Sequence, residues 1–114
     1  MSDWWNELLP IRPHPHPPGA EEMLRIIAYD IANPRRLRRL ANICADHGVR
    51  VQKSVFEFWL DEDRFDELWR RLCAEMDTEE DVLIAYVLDE KAARRRRSHG
   101  GRAQLTERRT SYVL

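Results

Sequence analysis

Four apolar runs of extended character alternate with two stretches of helical period along this chain. In the first run, residues 24–30 (LRIIAYD), nearly every position is apolar before a closing carboxylate, the pattern of a strand covered on both faces. Asn33 is placed to cap a helix with Pro34 as its first residue, and Gly48 to close it. Within that helix Leu37, Leu40, Ala41 and Cys44 form a core stripe, while Arg35, Arg38 and Arg39 lie on the other side in line with Asn42 and Asp46. Residues 49–60 (VRVQKSVFEFWL) are strand-like throughout but break phase: Val49 and Val51 are odd, Phe56, Phe58 and Leu60 even. A period of two cannot change phase without a turn or bulge, so two strands joined near Lys53 and Ser54 are predicted. A second helix starts with Asp61 as cap and buries Phe65, Leu68, Trp69, Leu72 and Met76. Residues 81–88 (DVLIAYVL) are again apolar on both faces, and the closing TSYVL is a candidate fifth strand.

The order strand, helix, strand, strand, helix, strand predicts an α+β, ferredoxin-like β-α-β-β-α-β unit with an antiparallel sheet, its first and last strands expected at the centre. Right-handed crossovers put both helices on one face. The opposite face then carries either Ile26 and Ala28 with Val82, Ile84 and Tyr86, or Ile27 and Tyr29 with Leu83, Ala85 and Val87. Either set is too apolar to leave wet, and a second copy of the chain is the simplest cover, so a homodimer packed through its sheets is expected.

The 114 residues suit one domain, read as residues 23–90 between a Pro-rich N-terminal arm, 1–22, and an Arg-rich C-terminal tail, 91–114. Met23 opens the first convincing element and is an alternative initiator to Met1. A net charge of −1 conceals an asymmetry: 11 Lys/Arg against 19 Asp/Glu through residue 90, then 8 against 1. The tail is a polycation on an acidic body, either solvated or reaching for nucleic acid or an acidic protein. No run approaches the length of a membrane span and the start is acidic and Pro-broken, so no membrane partner and a cytoplasmic location are expected. Cys44 and Cys73 fall on apolar stripes and are expected to be buried, reduced thiols; His14 and His16, flanked by prolines, are not read as metal ligands.

The YDI that ends the first strand, the Arg-rich first helix and the run GVRVQKSVFEFWL together resemble the small CRISPR-associated adaptation proteins of the Cas-two family, from Met23 to Leu88. The resemblance implies a ferredoxin-like homodimer that partners the Cas-one integrase, captures short double-stranded DNA and inserts it into the CRISPR array. It also implies, for some members, a metal-dependent endonuclease acting on RNA or double-stranded DNA. The residue at the metal and catalytic position then falls on Asp30, the basic residues of the first helix on Arg35, Arg36, Arg38 and Arg39, and the arginine before VQ on Arg50. Where members often carry further acids after YDI, Ala32 and Asn33 stand here, and the Pro-rich start and Arg-rich tail are unlike the compact members.

The residues themselves offer alternatives. Asp30 is either one half of a Mg2+ site shared across a dimer axis or an ordinary turn carboxylate accepting bonds from the start of the first helix. Four arginines in the five positions 35–39 sit where the helix dipole disfavours cations, a cost that a DNA backbone would remove. Arg50 is assigned to the same surface; Tyr29, Phe56 and Phe58 are assigned to the core or the dimer contact. The leading expectation is a dimeric DNA-binding subunit bridging integrase subunits, with a Mg2+-dependent endonuclease using Asp30 as the alternative and a ferredoxin-like toxin or RNA interferase as a third.

Overall fold

A computed structural model describes residues 21–100 together with Thr106. The chain runs through β1 (Met23–Asp30), α1 (Pro34–His47), β2 (Val49–Gln52), β3 (Val55–Leu60), α2 (Glu62–Ala74), β4 (Val82–Leu88) and a short α3 (Glu90–Ala93). The strands form one sheet in the order β2-β3-β1-β4, every neighbouring pair antiparallel, which is the ferredoxin-like arrangement. One expectation about it is corrected: β4 is an edge strand, and the central pair is β1 with β3. The β2–β3 hairpin leaves β3 one open edge, which β1 takes, and α2 carries the chain across to the far side of β1. The Pro-rich arm up to residue 20 and the TSYVL segment lie outside the described residues.

Local chemistry accounts for the boundaries. The Asn33 side chain accepts from the backbone N–H groups of Arg35 and Arg36 at 2.8 and 3.1 Å, with Pro34 inside the first turn. Asp61 caps α2 by accepting from Arg64 N at 2.8 Å. The hairpin turns at Lys53 and Ser54 as expected, and the register also shifts between Arg50 and Gln52, so Val51 is an inserted residue. Turn and bulge together account for the broken phase of this run.

α1 and α2 cover one face of the sheet. Ile27 and Tyr29 of β1, Phe56 and Phe58 of β3, Leu40 and Cys44 of α1, and Leu68 and Leu72 of α2 make the core. Tyr29 stacks on Phe56 and Phe56 on Phe58, with ring centroids 6.3 and 6.1 Å apart, which puts all three in the core. Two expected core residues are not there. Leu37 is 39% exposed because it lies toward one edge of the buried stripe of α1, about 60° around the helix from Leu40. Cys73 is also exposed, one step around the helix from the buried Leu72. Both cysteines are free, and burial pushes the Cys44 thiol up to about 12, so it is a neutral core group at physiological pH.

Gly48 is the tightest joint. Its φ of −151° is available to any residue, but a Cβ there would run into Glu57 O and the Phe58 ring. Substitution Gly48→Ala therefore forces β3 away from the end of α1, and a loss of about 1–3 kcal/mol in urea unfolding is expected. An unchanged midpoint would show that β3 yields freely.

Candidate functional site

The end of β1, the start of α1 and the start of β4 meet at one corner. Asp30 closes β1, pairs in register with Val82 and is exposed. Side chains at even positions of β1 share its face, which is the face that α1 and α2 do not cover. The Asp30 side chain makes no hydrogen bond or ion pair with any described residue. The reading of Asp30 as the turn carboxylate that satisfies the start of α1 is thereby corrected: those donors go to Asn33, and the N–H of Ala32 goes to Asp81 at 2.9 Å.

Asp81 is the hub of the corner. Its side chain is fully buried and accepts four bonds: from Ala32 N and Asp77 N at 2.9 Å each, and from Arg36 Nε at 2.9 Å and Nη2 at 3.2 Å. The paired bonds from Arg36 hold its carboxyl well below the usual carboxylate range, helped by the two backbone N–H groups and opposed by burial. Arg36 thereby stands apart from the other arginines. It lies one turn before Leu40 and two before Cys44, on the inward stripe of α1, and its remaining reach goes to Glu80 at 3.1 Å.

Arg35, Arg38 and Arg39 lie on the outward face of α1. Arg39 is 56% exposed and pairs with Glu75 at 2.8 Å, whereas the Arg35 and Arg38 side chains have no partner among the described residues. Arg50 is exposed on the edge strand β2, its guanidinium 5.1 Å from the centroid of the Phe56 ring.

The second face of the sheet divides in two. Across one end run Trp59, Leu24 and Leu88. There α3 packs on β1 and β4, Ala93 is buried and Leu24 is fully covered. Arg96, just past α3, reaches Glu57 at 2.6 Å with both side chains largely buried, while Thr106 donates its N–H to Glu57 and accepts from Arg96, each at 3.0 Å. Toward the other end the face is open: Val82, Ile84 and Tyr86 are 50%, 42% and 60% exposed, and Asp30 borders them. The chain's own C-terminal segment therefore covers half of the face that a second copy was expected to cover whole.

Residues 23–96 match the family described as CRISPR associated protein Cas2. The chain belongs to that family. It is 45% identical over 75 residues to the CRISPR-associated endoribonuclease Cas2 of Nitratidesulfovibrio vulgaris, covering 61% of this chain and 74% of that one. A CRISPR-associated endoribonuclease Cas2 of Moorella thermoacetica is 40% identical over 68% of this chain and 86% of its own. The crystal structure of Streptococcus pyogenes Cas2 superposes with a TM-score of 0.62 at 34% identity, covering 68% of this chain and all of the other. No helix among the described residues is long and apolar enough to cross a membrane.

The described residues of one chain of this Cas2 family member assemble no cluster of metal-ligating side chains. Among the described residues no group of three or more His, Cys, Asp or Glu is placed to hold an ion, and Asp30 is the only carboxylate at the end of β1. Two groups escaped the sequence reading. Asp81 stood there only as the first residue of the run DVLIAYVL, and Glu57 only within VFEFWL, neither with a partner assigned. An acid embedded in an otherwise apolar run is the signal that would have found both, since such a group needs a cationic partner.

The depressed pKa of Asp81 has a stability consequence with a definite sign. A carboxyl whose folded pKa lies below its unfolded value, near 3.8, stabilises the fold above that value and loses its contribution as pH falls toward the folded pKa. Asp81→Asn turns an amide toward donors and is expected to lower the urea midpoint at neutral pH. The gap from wild type should narrow as the pH is taken below about 4. A gap constant over that range would contradict the clamp.

Proposed function

We propose that this Cas2 family member is a DNA-gripping subunit of CRISPR spacer acquisition. Two copies pack through the open half of the second sheet face. The outward arginines of both α1 helices hold the backbone of double-stranded prespacer DNA, and the dimer bridges subunits of the Cas-one integrase. The observation that carries the reading is that the Arg35 and Arg38 side chains, in the first turns of α1, are exposed and have no partner among the described residues. Cations at that end of a helix are opposed by its dipole, and a polyanion lying along the face offsets the repulsion. The exposed strip of Val82, Ile84 and Tyr86 supplies an apolar surface for the second copy, and a two-fold pair of α1 faces doubles the charge offered to a duplex.

Contacts of arginine with phosphate carry no sequence information, so binding should be salt-sensitive and uniform across sequences. Replacing Arg35 and Arg38 by alanine is expected to weaken duplex binding. It should also flatten the plot of log affinity against log salt by about one per lost contact in each bound protomer. Unchanged affinity and slope would remove α1 from the interface.

The names of the relatives, and the freedom of Asp30 at the rim of the open face, favour a second reading as a Mg2+-dependent endonuclease on RNA or double-stranded DNA. In that reading Asp30 side chains from two copies supply the carboxylates, and magnesium takes its remaining ligands from water and substrate phosphate. Asp30→Asn separates the two activities: it is expected to abolish Mg2+-dependent cleavage while leaving duplex binding intact. Cleavage that persists would exclude Asp30 as the metal ligand.

A further inference from the structure

The arginines of α1 are not equivalent, and the difference lies in what faces them. The α2–β4 connection, residues 75–81, carries Glu75, Asp77, Glu79, Glu80 and Asp81 past the start of α1. Arg36 is withdrawn by the buried Asp81 and backed by Glu80, so it belongs to the fold. Arg39 is different: its one partner among the described residues, Glu75, holds it at 2.8 Å in a pair 56% and 30% exposed. An exposed ion pair of this kind contributes little to stability and is readily exchanged for another anion. Arg39 is also exposed on the outward side of α1, four residues from Arg35, which in turn lies three from Arg38, the spacings of neighbours on a helix surface.

We propose that Glu75 is an intramolecular competitor for duplex phosphate, occupying Arg39 so that the resting α1 face offers Arg35 and Arg38, with Arg39 joining only when a phosphodiester backbone displaces the carboxylate. The proposal rests on the reading of α1 as the DNA-contacting face and assigns Glu75 the task of limiting that contact. Displacement exchanges one carboxylate partner for one phosphate at the same guanidinium, with no change in the fold. A competitor of this kind restrains the protein on any polyanion and favours a backbone that engages Arg35 and Arg38 first, because those contacts supply the local concentration of phosphate beside Arg39.

Neutralising any acid in this connection raises affinity for DNA through the general field, so the test compares acids of equal charge. Glu75→Gln, Glu80→Gln and Glu79→Gln are made in the full chain. Binding to a short duplex DNA is followed from about 50 to 200 mM salt, with thermal unfolding as the check on the fold. Glu79 has no arginine partner among the described residues, and Glu80 shares an arginine that Asp81 retains. Glu75→Gln is expected to tighten binding about two- to fivefold beyond the other two and to steepen the salt slope by about one for each bound protomer. Adding Arg39→Ala to Glu75→Gln should cancel both gains. Equal behaviour of the three glutamine variants, or a gain that survives loss of Arg39, would overturn the competitor while leaving the DNA-binding reading intact. Absence of duplex binding by the wild type would overturn both.

Discussion

One carboxylate holds together the corner on which the chemistry of this chain depends. Asp81 gathers donors from the β1–α1 loop, from α1 and from the α2–β4 connection, and it does so immediately before β4 begins. The register of β4 against β1, in which Val82 stands opposite Asp30, is thereby fixed at its first pair. Without these donors the fully buried Asp81 carboxylate would itself be left unpaired. Burying such a group unpaired costs more than the bond itself contributes. The donors at the start of α1 thus go to Asp81 and Asn33, and the exposed Asp30 side chain has no partner among the described residues.

The fold was legible because its elements announce themselves by punctuation and period. Asn33, Pro34 and Gly48 bounded the first helix, Asp61 opened the second, and the broken phase at residues 49–60 located the hairpin turn. What failed was strand order and helix rotation. Central placement of β1 was right and that of β4 was not: apolarity on both faces marks a strand as protected on its faces and says nothing about its edges. The α1 stripe was turned toward Leu37 because hydrophobicity alone weighs leucine over arginine. Arg36 was in fact the inward residue at that level, its charge met by an acid 45 positions away in sequence. Pairings at that separation leave no local pattern in the chain. The same blindness hid Glu57 and Arg96, which are 39 residues apart.

The second sheet face shows how a small domain limits what it offers. A wholly bare face would be a broad, sticky surface; a wholly covered one would leave nothing for a partner. Here a buried ion pair, Glu57 with Arg96, fastens the segment after β4 across the Trp59, Leu24 and Leu88 row, and the strip from Val82 to Tyr86 remains. A pair of this kind is weak evidence for net stability, since desolvation offsets much of the attraction. Its contribution is placement. The carboxylate buried at Glu57 is met by Arg96 and by the backbone N–H of Thr106, and those two bonds hold the segment in place. The Arg-rich run around residues 94–97 is thus set at the boundary between covered and open halves, instead of trailing from the end of β4.

The charge on α1 obeys the same logic. Four arginines near the start of a helix are unfavourable against its dipole, yet the chain tolerates them because each is handled differently. Arg36 is neutralised inside the corner by Asp81, and Arg39 is met at the surface by Glu75. Among the described residues, Arg35 and Arg38 alone of the four find no carboxylate, and both are exposed to solvent. The local electrostatic cost is therefore confined to two residues on one exposed stripe. A solvated helix face with no further role would be served as well by lysine, or by neutral residues with no cost at all. Arginine's fixed fork gives geometric fit to phosphate and carboxylate alike, and the carboxylate use occurs twice within a single turn of this helix, at Arg36 and at Arg39. The residues that build the corner and those that face outward are the same residue type, sorted by which acid the fold brings to each.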